Sequence, residues 1–129
     1  ILPIEESGQL RYLEKDEDSY LTLSNLGFEV LFVDGHTEKQ MIPIVSYKGQ
    51  KIAFSADLIP TAGHIPLPYI MSYDVRPLVS MKEKELFLDF CYENNVFLFF
   101  EHDASVELCS VKKTGRGVRL NEKLTLFDL

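Results

Sequence analysis

The sequence predicts an α+β fold, a mostly antiparallel sheet with one main helix, residues 80–94, on its outer face. Two observations predict it. Short segments, alternating or wholly apolar and separated by turn residues, fill most of the chain. Only the stretch after residue 79 repeats its apolar positions at helical spacing.

Residues 10–14 (LRYLE) and 20–24 (YLTLS) alternate apolar and polar positions and read as short strands around the acidic turn at 15–18. Residues 28–33 (FEVLFV) form a stronger strand that ends at Asp34-Gly35-His36. Residues 41–47 (MIPIVSY) follow, with Pro43 arguing for an edge or a bulge. Lys48-Gly49-Gln50 makes a hairpin turn, and residues 51–56 (KIAFSA) return to Asp57. Residues 58–79, with prolines at 60, 66, 68 and 77, read as a long loop of the kind that usually carries function.

In the helix, Ser80-Met81-Lys82-Glu83 matches a capping box, Ser80 and Glu83 each satisfying a free backbone N–H. Leu86, Phe87, Phe90 and Cys91 recur on one face, and Asn94-Asn95 end it. Residues 96–100 (VFLFF) read as a strand buried on both faces. Residues 108–112, 117–121 and 123–127 close the chain as short strands, with Thr114-Gly115-Arg116-Gly117 as a turn.

At 129 residues and 46% apolar content, the chain is expected to be a single domain, 1–129, with a real core. A net charge of −7, with no basic cluster beyond Lys112-Lys113 and Arg116/Arg119, repels phosphate and argues against nucleic acid. No apolar run reaches membrane-spanning length, and ILPIEESG lacks the basic flank and apolar core of an export signal. The expected location is the cytoplasm, unless a signal lies upstream. The chain opens on Ile1 rather than Met, and ILPIEES reads like the exit from a preceding element. A piece of a longer polypeptide is expected. Cys91 and Cys109, too few for a disulfide framework or thiolate zinc site, read as small buried hydrophobes.

The informative pattern is positional. VFLFF ends abruptly in Glu101-His102-Asp103, ionisable groups that are costly beside apolar core unless paired. His36, Asp57 and His102 each lie just beyond the C-terminal end of an apolar strand. If those strands are neighbours, the three side chains converge on one rim. Two imidazoles and a carboxylate suit a cation such as zinc, bound by nitrogen and oxygen at about 2.0–2.2 Å. Taken singly, each residue is more often a hydrogen-bonded loop or turn residue.

DGHT at 34–37, a hairpin ending in SAD at 55–57, then a helix and FFEHD at 99–103 resemble the metallo-β-lactamase-fold hydrolases. The chain is similar to the C-terminal half of one, leaning toward the lactonase and organophosphate-hydrolase branches. That likeness implies the second half of an αββα sandwich whose inner sheet face packs on the missing half. It implies that His36 binds a first metal, that Asp57 bridges two and is catalytic, and that His102 binds the second. The implied cofactor is zinc, two per complete protein, with other divalent transition metals as substitutes. The implied chemistry is attack of metal-bound hydroxide on a small-molecule ester, lactone, amide or phosphoester.

The family's His-x-His-x-Asp-His cluster is absent, and His36, His64 and His102 are the chain's three histidines. By itself the fragment is therefore expected to be inactive. The missing N-terminal half, or self-association, is expected to cover its exposed sheet face. Many lactonases of the family carry a tyrosine three residues after the bridging aspartate, where this chain has Pro60. Tyr69 or Tyr73 would have to substitute on the substrate side. His64 either faces substrate or is an ordinary loop histidine. Asp34 either supports His36 or makes a turn with Gly35. Asp103 either orients His102 or is a cap or solvated acid, and Glu101 is expected to point into water. Two other readings stay open: a non-catalytic interaction or regulatory module on the same scaffold, and a β-rich ligand domain whose histidines only hydrogen-bond.

Overall fold

The computed structural model describes residues 2–129. Ile1, the starting point of the expectation about a preceding element, lies outside the described residues. After a short exposed helix, α1 (Leu2–Glu6), come strands β1 (Thr22–Leu23), β2 (Glu29–Val33), β3 (Gln40–Tyr47) and β4 (Gln50–Phe54). The long helix α2 (Pro77–Glu93) leads to β5 (Val96–Phe99), β6 (Leu108–Thr114) and β7 (Gly117–Leu124). The strands form one seven-stranded sheet in sequence order. Neighbours are antiparallel except β4 and β5. Parallel neighbours need a crossover, and α2 supplies it. Consequently β2, β4 and β5 all point the same way, and their C-terminal ends share one rim.

Apolar alternation decides which face the helix covers. Phe87, Leu88 and Cys91 of α2 join Leu31, Val33, Ile42, Ile44, Ala53, Val96, Leu98 and Cys109 of the sheet in one core. Each large side chain buried this way contributes about 1.5–3 kcal/mol relative to exposure. The two cysteines are free and buried, behaving as small hydrophobes. The opposite face carries the cross-strand pairs Val30/Pro43, Phe32/Met41, Val45/Ile52 and Phe54/Phe99. Pro43 is tolerated because β3 there pairs only with β2, the β4 ladder reaching no further than Ile44.

Several expected elements differ. Residues 10–14 form no strand. Their alternation has no ladder partner, and the strand expected at 20–24 is only the two residues Thr22–Leu23, paired with β2. Residues 117–121 and 123–127 are not two strands: β7 runs unbroken to Leu124, and a turn closed by Asp128 on Thr125 follows. β5 buries Val96 and Leu98 fully but leaves Phe97 and Phe99 half-buried, so only one of its faces is in deep core. Helix α2 starts at Pro77, three residues before the expected capping box, with proline in the first turn where its missing N–H costs nothing. Ser80 is inside the helix, its hydroxyl donating weakly to the Arg76 carbonyl at 3.4 Å. Glu83 is committed elsewhere.

Candidate metal centre

β2 ends at Val33, and the next three residues carry His36 onto the rim. That turn is gripped by the start of α2. The Glu83 carboxylate accepts the N–H groups of Asp34 at 2.8 Å and Gly35 at 2.9 Å. The Gly35 carbonyl accepts the Arg76 N–H at 2.8 Å, and the His36 carbonyl that of Val75 at 3.2 Å. A Cβ at Gly35 would overlap the backbone nitrogen and hydroxyl of Ser80, so glycine alone lets the turn rest on the helix. Burial pushes the Glu83 carboxyl above its ordinary range, although the two N–H groups pull it down.

β4 runs through Ser55 into a 3-10 turn, Ala56–Leu58. The Ser55 N–H donates to the Phe99 carbonyl at 3.0 Å, tying the ends of β4 and β5 together. Ala56 has a φ of 45°, a left-handed conformation. Such a conformation costs about 1–3 kcal/mol for a residue with a Cβ and persists only where the surroundings impose it. Asp57 follows directly. β5 exits through Phe100 and Glu101 to His102.

These three ends bring three side chains together. Asp57 Oδ2 lies 3.5 Å from His36 Nε2, and its other oxygen, Oδ1, lies 3.3 Å from His102 Nε2. One carboxylate thus addresses two imidazoles. The two sides differ in exposure: 14% of the His36 side chain is accessible against 55% for His102. Glu101 does not simply point into water as expected. It is exposed, but its Oε1 turns to 3.1 Å from His102 Nε2. Asp57, Glu101 and His102 offer ligand atoms within 4.8 Å of one another.

Behind His36 stands a residue the sequence does not single out. Asp74 Oδ1 is 2.9 Å from His36 Nδ1, and only 3% of the Asp74 side chain is exposed. A buried carboxylate there favours a proton on Nδ1, which turns the Nε2 lone pair toward Asp57. A lone pair facing a carboxylate oxygen at 3.5 Å is stabilised by a cation between them, so the residues fit a divalent metal. Asp74 lies in the proline-rich loop, where no periodicity marks it.

Asp34 does not support His36. Its Oδ1 accepts the Lys39 N–H at 2.9 Å and closes the turn, leaving the imidazole to Asp74. Asp103 clamps two loops, accepting the N–H groups of Ala62, Ser105 and Val106 and the Ser105 hydroxyl at 2.9–3.0 Å. Desolvation alone would raise its carboxyl, but those bonds prevail and hold it below the usual range. Tyr73 meets His36 edge-on, ring centroids 5.8 Å apart, while remaining 60% exposed. The Tyr69 ring is also exposed. His64 pairs its Nδ1 with the Thr61 hydroxyl at 2.8 Å, and burial together with the nearby Lys84 lowers its pKa.

Lys84 organises the loop that carries these residues. It is fully buried, and its ammonium donates to the carbonyls of His64 at 3.0 Å, Pro66 at 3.1 Å and Tyr69 at 2.8 Å. Burial pulls the ammonium down to about 8 and the Asp74 carboxylate opposes this. The three carbonyls also favour the charged form. A lysine at position 84, on the face that continues through Phe87, Leu88 and Cys91, is the signal in the sequence that points to it.

No family model matches the sequence, and no curated protein matches it. Solved structures do. The chain superposes on a probable metal-dependent hydrolase from Staphylococcus aureus with a TM-score of 0.71 and 23% identity, over 92% of this chain and 42% of that one. AidC, a dizinc quorum-quenching lactonase, is similar with a TM-score of 0.66 and 20% identity, over 89% and 37%. AbOPH, a hydrolase in the beta lactamase superfamily, gives 0.71 and 14%, over 96% and 42%. The likeness is one of fold, and the chain spans about two-fifths of the length of these structures. The mostly antiparallel sheet with its one long helix matches in fold about two-fifths of that beta-lactamase-superfamily hydrolase.

Proposed function

We propose that this chain belongs to a metal-dependent hydrolase and contributes His36, Asp57 and His102 to a two-cation centre, with zinc the expected ion. One arrangement carries the reading: a single carboxylate set between two imidazole nitrogens, an oxygen toward each, at 3.5 and 3.3 Å. The metal-dependent hydrolases of like fold support it.

Each residue has a physical task. His36 and His102 would each supply an imidazole nitrogen to hold a cation, and the Asp57 carboxylate, with an oxygen toward each ring, would help hold the ions and offset their charge. Asp74 keeps the His36 ring in the orientation and tautomer that such a task needs. Cations held there supply Lewis acidity and a hydroxide nucleophile near neutral pH. Asp57, 26% exposed, is also accessible enough to take or return a proton as the scissile bond breaks. Exposed Tyr73, beside His36, borders the approach of a small-molecule ester, lactone, amide or phosphoester.

Metal analysis tests this. The whole protein is expected to hold about two divalent ions, and Asp57→Ala to lose at least one of them together with hydrolytic turnover. A wild-type protein that retains no divalent ion at neutral pH would overturn the reading and favour a non-catalytic module on the same scaffold.

A further inference from the structure

The two sides of Asp57 are not chemically equivalent. On the His36 side the donors are one imidazole nitrogen and one Asp57 oxygen, and the imidazole is backed by the buried Asp74. On the His102 side a second carboxylate joins them. Glu101 Oε1 and Asp57 Oδ1 flank the same Nε2 at 3.1 and 3.3 Å, and ligand atoms of all three residues lie within 4.8 Å of one another. Among the described residues, the one polar partner of the Glu101 side chain is His102.

We propose that Glu101 is a third ligand of the cation at His102, and that its oxygen makes that side prefer a harder ion, such as manganese, than the His36 side. This rests on the metal-centre reading above and adds a residue and a selectivity to it. The reasoning is donor chemistry. Carboxylate oxygens suit hard ions such as manganese, whereas imidazole suits zinc. A set of two oxygens and one nitrogen, open to water on the exposed side, therefore moves preference toward the harder ion. A third ligand within the chain also lets the His102 side hold a cation without help from the His36 side.

The test is titration of this chain, stripped of metal, with manganese chloride followed by electron paramagnetic resonance, and separately with zinc chloride. Glu101→Gln keeps the size and one acceptor oxygen but removes the charge. It is expected to weaken manganese binding at least about tenfold, with a smaller loss for zinc. His36→Ala is expected to leave the manganese signal in place. Because Glu101 is exposed, the metal-free melting temperature of Glu101→Gln should match that of the parent, which separates loss of a ligand from loss of fold. If the parent binds both ions and Glu101→Gln changes neither affinity, or changes both equally, the proposal fails and the metal centre stands. If this chain binds neither ion, the proposal fails, and the metal-centre reading is decided by the metal content of the whole protein.

Discussion

Asp74 is the residue on which the orientation of His36 depends. Its carboxylate is buried, makes a 2.9 Å contact to Nδ1, and reaches the imidazole from the side opposite Asp57. Asp74→Asn keeps the shape but presents an amide that can donate to Nδ1, which would move the ring proton to Nε2, the nitrogen that the proposed centre needs free. Cation affinity is expected to fall about 10–100-fold, measured by competition with a chromophoric chelator, while the fold is retained. Unchanged affinity would mean that Asp57 alone fixes the ring. Asp103 acts on the fold instead. Its carboxyl is held below the usual 3.8 by bonds present only in the folded chain. The unfolded chain therefore binds this proton more readily. The stability that Asp103 contributes is complete above pH 3.8 and is lost as acid passes through the lower, folded value. Asp103→Ala should flatten that part of the acid-unfolding profile, followed by circular dichroism.

Helix α2 both covers the core and anchors the functional loops. Glu83 holds the His36 turn, Gly35 rests on Ser80, and Lys84 gathers three carbonyls of the loop 58–79. Lys84→Met has similar length and suits the apolar surroundings, but it leaves those carbonyls without a donor. A loss of about 2–3 kcal/mol in denaturant unfolding is expected, with early proteolysis in 58–79. A stable variant with an unaltered digestion pattern would show that the loop is held by apolar packing. The elements also mark the limit of what the sequence discloses. The strand ends at His36, Asp57 and His102 are legible because an apolar run that stops at an ionisable residue is a local signal. Glu83 is misread as a capping residue because its partners, Asp34 and Gly35, lie 48 and more positions away along the chain. Residues 10–14 mislead for the opposite reason: alternation is local, whereas a strand needs a neighbour.

At the level of the whole molecule, the sheet is covered by α2 on one face and only in part on the other, where Val30 and Ile52 are buried. α2 packs over one side, while the other shows Met41 at 50% and Val45 at 39% exposure among paired apolar neighbours. An unpartnered apolar sheet face is expected to find a cover, either a complementary polypeptide or a second copy. Light scattering of this chain alone should report a mass above that of the monomer, and Val45→Lys should lower it. A dilute monomer that persists on concentration would contradict this. The parallel pairing of β4 with β5 has a further consequence, in time rather than space. The donors come from positions 36, 57 and 102, and the last joins the others only after the chain has gone out through the helix and back. Closure of so long a loop is among the slower events of folding. If the proposed centre forms, competence to capture an ion would be acquired late in folding, and a nascent or partly unfolded chain would hold the pieces of the trap before it holds the trap.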